Sequence, residues 1–153
     1  VGTSFGFDFN PTVDRIRVVS NTGQNLRLNP NDGAVAAVDM PLNPGTPMIN
    51  GAAYTNNFAG ATATLLFDID PATDKVYTQN PPNNGTLVEL GNLGVDATGE
   101  VGFDIGGTSN KPYALLNVGG TARIYSVNAT TGAVTQISTF PNAARGFAIG
   151  LGF

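Results

Sequence analysis

The chain of 153 residues has no Cys, no His and no Trp, and only seven Lys or Arg. Without Cys it has no disulfide, no thiolate nucleophile, no zinc–sulfur site and no iron–sulfur cluster. Without His it lacks the commonest general base, the Ser-His-Asp triad and the imidazole that catalytic zinc sites favour. Chemistry at this chain would have to run on Asp, Glu, Tyr, Lys or Arg. The formal charge is −4 and charged residues make up only 12% of the sequence. Nucleic acid is excluded as a partner on that ground, because phosphate neutralisation needs clustered cations. Only Arg15 and Arg17 lie close together. No apolar run approaches the roughly 20 residues of a membrane-spanning helix. Position 1 is Val, which implies a removed leader or a piece of a longer chain. Sparse charge with 17 Asn, 17 Thr and 20 Gly fits a secreted, extracellular or periplasmic protein.

Helical periodicity is also missing. Apolar residues do not recur at three- and four-residue spacing, and 20 Gly with 10 Pro break most windows. What is present is a set of short β-rich runs divided by Asn, Gly, Pro and Asp turns. Three hairpin segments share one layout: Gln24–Val38, Lys75–Leu90 and Ala122–Ile137. Each is a strand, then Asn with a few polar residues and a Gly, then a second strand. The turn glycines Gly33, Gly85 and Gly132 are predicted to take positive φ. A second element precedes each hairpin: Phe5–Phe9, Gly51–Thr55, Val101–Ile105 and, once more, Arg145–Ile149. Aligned on their aromatics, these place Phe7, Tyr54, Phe103 and Phe147 in register. A further strand lies between the two elements, at Arg15–Ser20, Thr64–Asp70 and Tyr113–Val118. Each unit is thus four strands in about 48 residues, the size of a propeller blade. The expected class is all-β, one repeat domain of four-stranded antiparallel units, forming a partial or oligomer-completed β-propeller. The units run over 1–42, 48–96 and 99–141, with a terminal strand at 145–151. Asp39–Asn50 is the expected linker between the first two.

The run Phe5–Leu28, together with Ala53–Asn56 and Thr78–Leu87, resembles a bacterial exported family of domains of unknown function, DUF4394. The resemblance implies an exported, propeller-like protein and brings no activity or catalytic residue. The resemblance further implies about two repeats ahead of the first run, which are expected to be missing from this chain.

Several residues have two readings. Asp68, Asp70 and Asp74 are the densest carboxylate cluster and could ligate Ca²⁺ through oxygens. Asp70-Pro-Ala-Thr-Asp74 equally has the chemistry of an Asx-capped turn, which the spacing favours. Asp8 and Asp104 occupy matching places in the inner strands and could hold a cation or share a proton. Alternatively, each accepts backbone amides and fixes its unit. Arg15 and Arg17 share one strand face and could grip an anion, or stand solvated or paired with Asp14. The aromatics Phe5, Phe7, Phe9, Tyr54, Phe103, Tyr113, Tyr125 and Phe147 are assigned to the core. Asn84-Gly-Thr86 and Asn128-Ala-Thr130 match the glycosylation acceptor pattern on hairpin turns.

The expected function is non-enzymatic: an exported structural or binding protein with no resident cofactor. It would self-associate through open propeller or strand edges, as a homo-oligomer or with the missing part of its own precursor. The alternative is an exported Ca²⁺-dependent hydrolase using the Asp clusters.

Overall fold

The computed structural model describes residues 1–150. Twelve strands form three antiparallel sheets, each built from four strands consecutive in sequence. Sheet 1 is β1 (Phe5–Asn10), β2 (Arg15–Ser20), β3 (Asn25–Leu28) and β4 (Val35–Val38). Sheet 2 is β5 (Gly51–Tyr54), β6 (Leu66–Asp70), β7 (Lys75–Gln79) and β8 (Leu87–Asn92). Sheet 3 is β9 (Ala97–Ile105), β10 (Pro112–Val118), β11 (Thr121–Val127) and β12 (Val134–Thr139). The one helical turn among the described residues is a 3-10 turn at Pro82–Asn84. The all-β, four-stranded repeat expected from the sequence is therefore present.

Alternation along each strand sends one set of side chains to each face. One core lies between sheets 2 and 3, where Phe67, Ile69 and Val76 meet Val101, Phe103, Leu116 and Tyr125. A smaller core lies between sheets 1 and 2, where Val19 meets Ala52, Tyr54 and Leu66, closed by Leu42 and Ile49 from the linker. The linker is no loose tether. Asn43 bridges to Thr86 of the next hairpin and donates to the Asn84 carbonyl.

The innermost strands β1, β5 and β9 pack side by side. Their spacing is set by glycine at one position of each. A Cβ on Gly6 would stand 2.7 Å from the Ala52 nitrogen. On Gly51 it would stand 2.9 Å from Val101 Cγ1 and 3.2 Å from Phe103 Cβ. On Gly102 it would stand 2.5 Å from Phe147 Cβ. These contacts make Gly6, Gly51, Gly102 and Gly146 equivalent. The inner strand of sheet 2 therefore sits two residues away from the alignment on aromatics. Ala52 matches Phe7, Phe103 and Phe147, and Ala53 matches Asp8, Asp104 and Ala148. Tyr54 falls instead with Phe9, Ile105 and Ile149.

Residues 145–150 are not hydrogen-bonded as a strand, yet Phe147 seats on Gly102 as Ala52 seats on Gly6. Leu151, the last residue of the terminal strand expected at 145–151, lies outside the described residues.

Gly33, Gly85 and Gly132 have φ of 71°, 64° and 76°. In the first and third hairpins the Gly amide donates to the Asn carbonyl four residues earlier, Asn29 and Asn128. The second turn is one residue longer, and Gly85 donates to the Pro82 carbonyl instead. Valine at any of the three should destabilise by more than about 1 kcal/mol, since a β-branched residue is strained at positive φ. The Gly85 variant should be the worst. Its Cβ would drive into the carbonyls of Met40 and Pro41, whereas nothing stands within 4 Å at Gly33. Thermal melts of the three variants check both the sign and the ranking.

Candidate functional site

The inner strands and residues 145–149 surround a hollow of about 840 Å³. Its walls include Phe7, Phe9, Phe147 and both inner-strand carboxylates, Asp8 and Asp104. The two carboxylates do the same work. Asp8 Oδ1 accepts the Phe9 amide at 2.7 Å, and Oδ2 accepts the Tyr54 amide of the next inner strand at 2.7 Å. Asp104 Oδ1 accepts the Ile105 amide at 2.8 Å, and Oδ2 accepts the Ile149 amide at 2.6 Å. Each carboxylate therefore ties its own strand to the following one. Asn57 also donates to Asp8 Oδ1, at 3.2 Å. Burial pushes the Asp8 carboxyl up to about 6; the Tyr54 amide opposes the shift and the charge of Asp104 adds to it. Of the two readings open in the sequence, the geometry favours strand fixing.

The Asp68, Asp70 and Asp74 carboxylates have separate surroundings. Asp70 accepts the amides of Ala72 at 2.9 Å and Met48 at 3.1 Å. Asp74, at φ 55°, accepts the Ala97 amide at 2.8 Å. Asp68 is fully buried and neither of its oxygens has a hydrogen-bond partner among the described residues. Among the described residues no group of three or more Asp or Glu side chains stands where it could hold a metal ion. The melting temperature should stay unchanged on addition of EDTA and also on addition of millimolar Ca²⁺. Differential scanning calorimetry checks this, because a bound ion would raise stability by mass action.

One family profile, described as Domain of unknown function (DUF4394), matches residues 1–149. The chain belongs to that family. No curated protein matches it.

Between sheets 1 and 2 of this DUF4394 domain, Arg17 meets partners that the sequence did not single out: Asn25, Asp39 and Asn83. Arg17 is buried and is neither solvated nor paired with Asp14. Its Nη1 reaches Asp39 Oδ2 at 2.6 Å and Asn25 Oδ1 at 2.8 Å, and its Nη2 reaches Asn83 Oδ1 at 2.7 Å. Its Nε donates to the Tyr54 hydroxyl at 3.3 Å. Arg27, directly across the ladder, holds the same carboxylate with 2.8 Å bonds to both oxygens. Burial opposes ionisation of Asp39, but the two guanidinia outweigh it and hold the carboxyl below its usual range. Arg15, by contrast, is half exposed and donates to the Asp14 carbonyl. The like charges at 15 and 17 thus face different fates on one strand face, because only Arg17 lies under the linker that carries Asp39.

The far face of sheet 1 is bare. Phe5, Phe7 and Phe9 are 46%, 65% and 51% exposed, against their assignment to the core. They project from the side opposite Gly6 and Asp8. Ladder pairing continues that side through Ile16, Val18, Leu26 and Leu28 to Val35 and Val38. No charged side chain interrupts it. Tyr54, Phe103 and Tyr125 are in the core as expected, while Tyr113 and Phe147 are half-buried.

Proposed function

We propose that this domain is a non-enzymatic, exported structural or binding protein whose sheets are the blades of a partial propeller, and that it self-associates. The observation that carries the reading is the bare face of sheet 1, with Phe7 at 65% and Val38 at 77% exposure. A contiguous apolar face of this kind marks an interaction surface. Each of the other sheet faces toward sheet 2 is covered by a neighbouring sheet, so a blade-on-blade contact is the interaction this chain already makes twice. Support for a non-catalytic role comes from the central carboxylates, whose oxygens are taken by backbone amides. Support for export comes from the sparse charge and the family resemblance.

Light scattering at micromolar concentration and moderate salt tests the reading. The native chain is expected to run well above 15.7 kDa. Phe7→Lys is expected to return it to monomer with an unchanged circular dichroism spectrum, since Phe7 contributes little to the chain's own core. A well-folded native monomer would overturn self-association.

A further inference from the structure

The inner strands carry a two-letter code at the position two residues beyond the packing glycine. It reads Asp8, Ala53, Asp104 and Ala148 in chain order. The alternation has a hydrogen-bonding reason. Where a strand carries Asp, its Oδ2 accepts an amide from the next strand: Tyr54 for Asp8 and Ile149 for Asp104. Both receiving amides follow an alanine, so no local carboxylate competes for them. Where a strand carries Asp, the following amide of that same strand is bonded to its own carboxylate, as at Phe9 and Ile105. Such a strand has no free amide there to give a preceding Asp. It fits behind an alanine, as β9 with Asp104 fits behind β5 with Ala53.

Among the described residues, 145–149 are the last of this series, carry an alanine and offer an unfilled seat. A Cβ on Gly6, Gly51 or Gly102 would collide with the next strand, but none of the described residues lies within 4 Å of one on Gly146. The strand that suits this seat has the pattern of β9, Val101-Gly-Phe-Asp-Ile105, and β1 has it: Phe5-Gly-Phe-Asp-Phe9. In β1 the aromatics stand exposed on the side that would face the seat. Within one chain β1 does not reach the seat at Gly146.

We propose that β1 of a second copy seats on residues 145–149 of the first, with Phe7 over Gly146 as Phe103 lies over Gly51. The contact is heterologous, head to tail, and carries the Asp–Ala alternation unbroken from one copy into the next. It rests on the self-association reading and adds to it the two surfaces that meet.

Disulfide trapping tests it, because the chain has no native Cys. A Cβ at Gly51 would lie 3.2 Å from Phe103 Cβ, close to the spacing a disulfide spans. A chain with Phe7→Cys is mixed with a chain carrying Gly146→Cys and oxidised gently. Both positions are exposed, so both variants should fold. The expected product is a mixed dimer, identified by intact mass, in several-fold excess over the product from Val35→Cys and Gly146→Cys. A second variant, Phe5→Asp, should place a charge against the seat at Gly146, as Val101 stands against Gly51, and abolish association with an unchanged circular dichroism spectrum, since Phe5 is 46% exposed in the single chain. If the native chain associates but the mixed dimer does not exceed the Val35 control, the seat is wrong and self-association stands. If the native chain is monomeric, both fail. If a chain carrying both Phe7→Cys and Gly146→Cys closes only on itself, β1 fills its own chain's seat and the second copy is ruled out.

Discussion

Replacing Asp68 by Asn should raise the melting temperature at pH 8 and leave it nearly unchanged at pH 4. Asp68 pairs across the ladder with Ala52 and Tyr77, on the side of sheet 2 that faces sheet 1. It is fully buried, and neither oxygen has a hydrogen bond. Burial pushes its carboxyl up to about 8, and the positive charge of Arg17 offsets only part of that. In the unfolded chain the same group ionises near its ordinary value, 3.8. Between those two values the folded state holds a proton that the unfolded state has released. Stability is therefore fully present below about pH 4, falls as pH rises toward 8, and levels off above it. A shift of about four units corresponds to at most about 6 kcal/mol, at about 1.4 kcal/mol per unit. Water reaching the ionised group reduces this, so a gain of about 2 kcal/mol or more for the Asn variant at pH 8 is the expected result. Asp8, raised to about 6, contributes in the same direction over a narrower and lower range. Denaturant titrations of both proteins at pH 4, 6 and 8 measure it; equal stabilities at all three would refute the buried neutral carboxyl.

The largest loss should come from Asp39→Ala. Its side chain is 7% exposed and serves two guanidinia, of which that of Arg17 is 2% exposed. Removing the carboxylate leaves Arg17 buried without its counter-charge, a change that costs about 3–5 kcal/mol in comparable buried pairs. For a chain of this size that is a fall of roughly 10 °C in melting temperature. Breaking the exposed Lys75–Glu89 pair, 2.7 Å long, should move the melting temperature little, because solvent screens it. Because Asp39 titrates below the usual range, its contribution holds at ordinary pH and disappears only in acid. Stability should therefore peak in mild acid, between the loss of the Asp39 pairs below and the ionisation of Asp8 and Asp68 above.

Strand periodicity and turn chemistry are local, and they were legible. Arg15–Ser20 is a strand to the residue, and all three hairpin glycines have positive φ. What a face touches is not local. A period of two put Phe5, Phe7 and Phe9 on one side of a strand, but no residue in the strand says whether another sheet covers that side. At β5 the aromatic Tyr54 stands two residues out of step with the aromatics of the other inner strands. The packing marker is the smallest residue, Gly51, where Phe103 of the next sheet presses in. Arg17 was legible as a strand residue, but its partner lies 22 residues on in the linker. Asp68, Asp70 and Asp74 sit within seven residues in sequence, yet strand geometry gives each different surroundings.

The two cores differ in kind, and this bears on the order in which the molecule comes apart. Between sheets 2 and 3 the contact is apolar from Ala53 to Val127. Between sheets 1 and 2 it includes Arg17, Asn25, Asp68 and Gln79, with unpartnered oxygens on the last two. In a stack of units that touch only their neighbours, each boundary opens with its own free energy. The polar boundary is the weaker hinge of the pair. Sheet 1 would then separate as a unit while sheets 2 and 3 remain joined, and its amides would exchange with solvent earlier than those of β6 and β10.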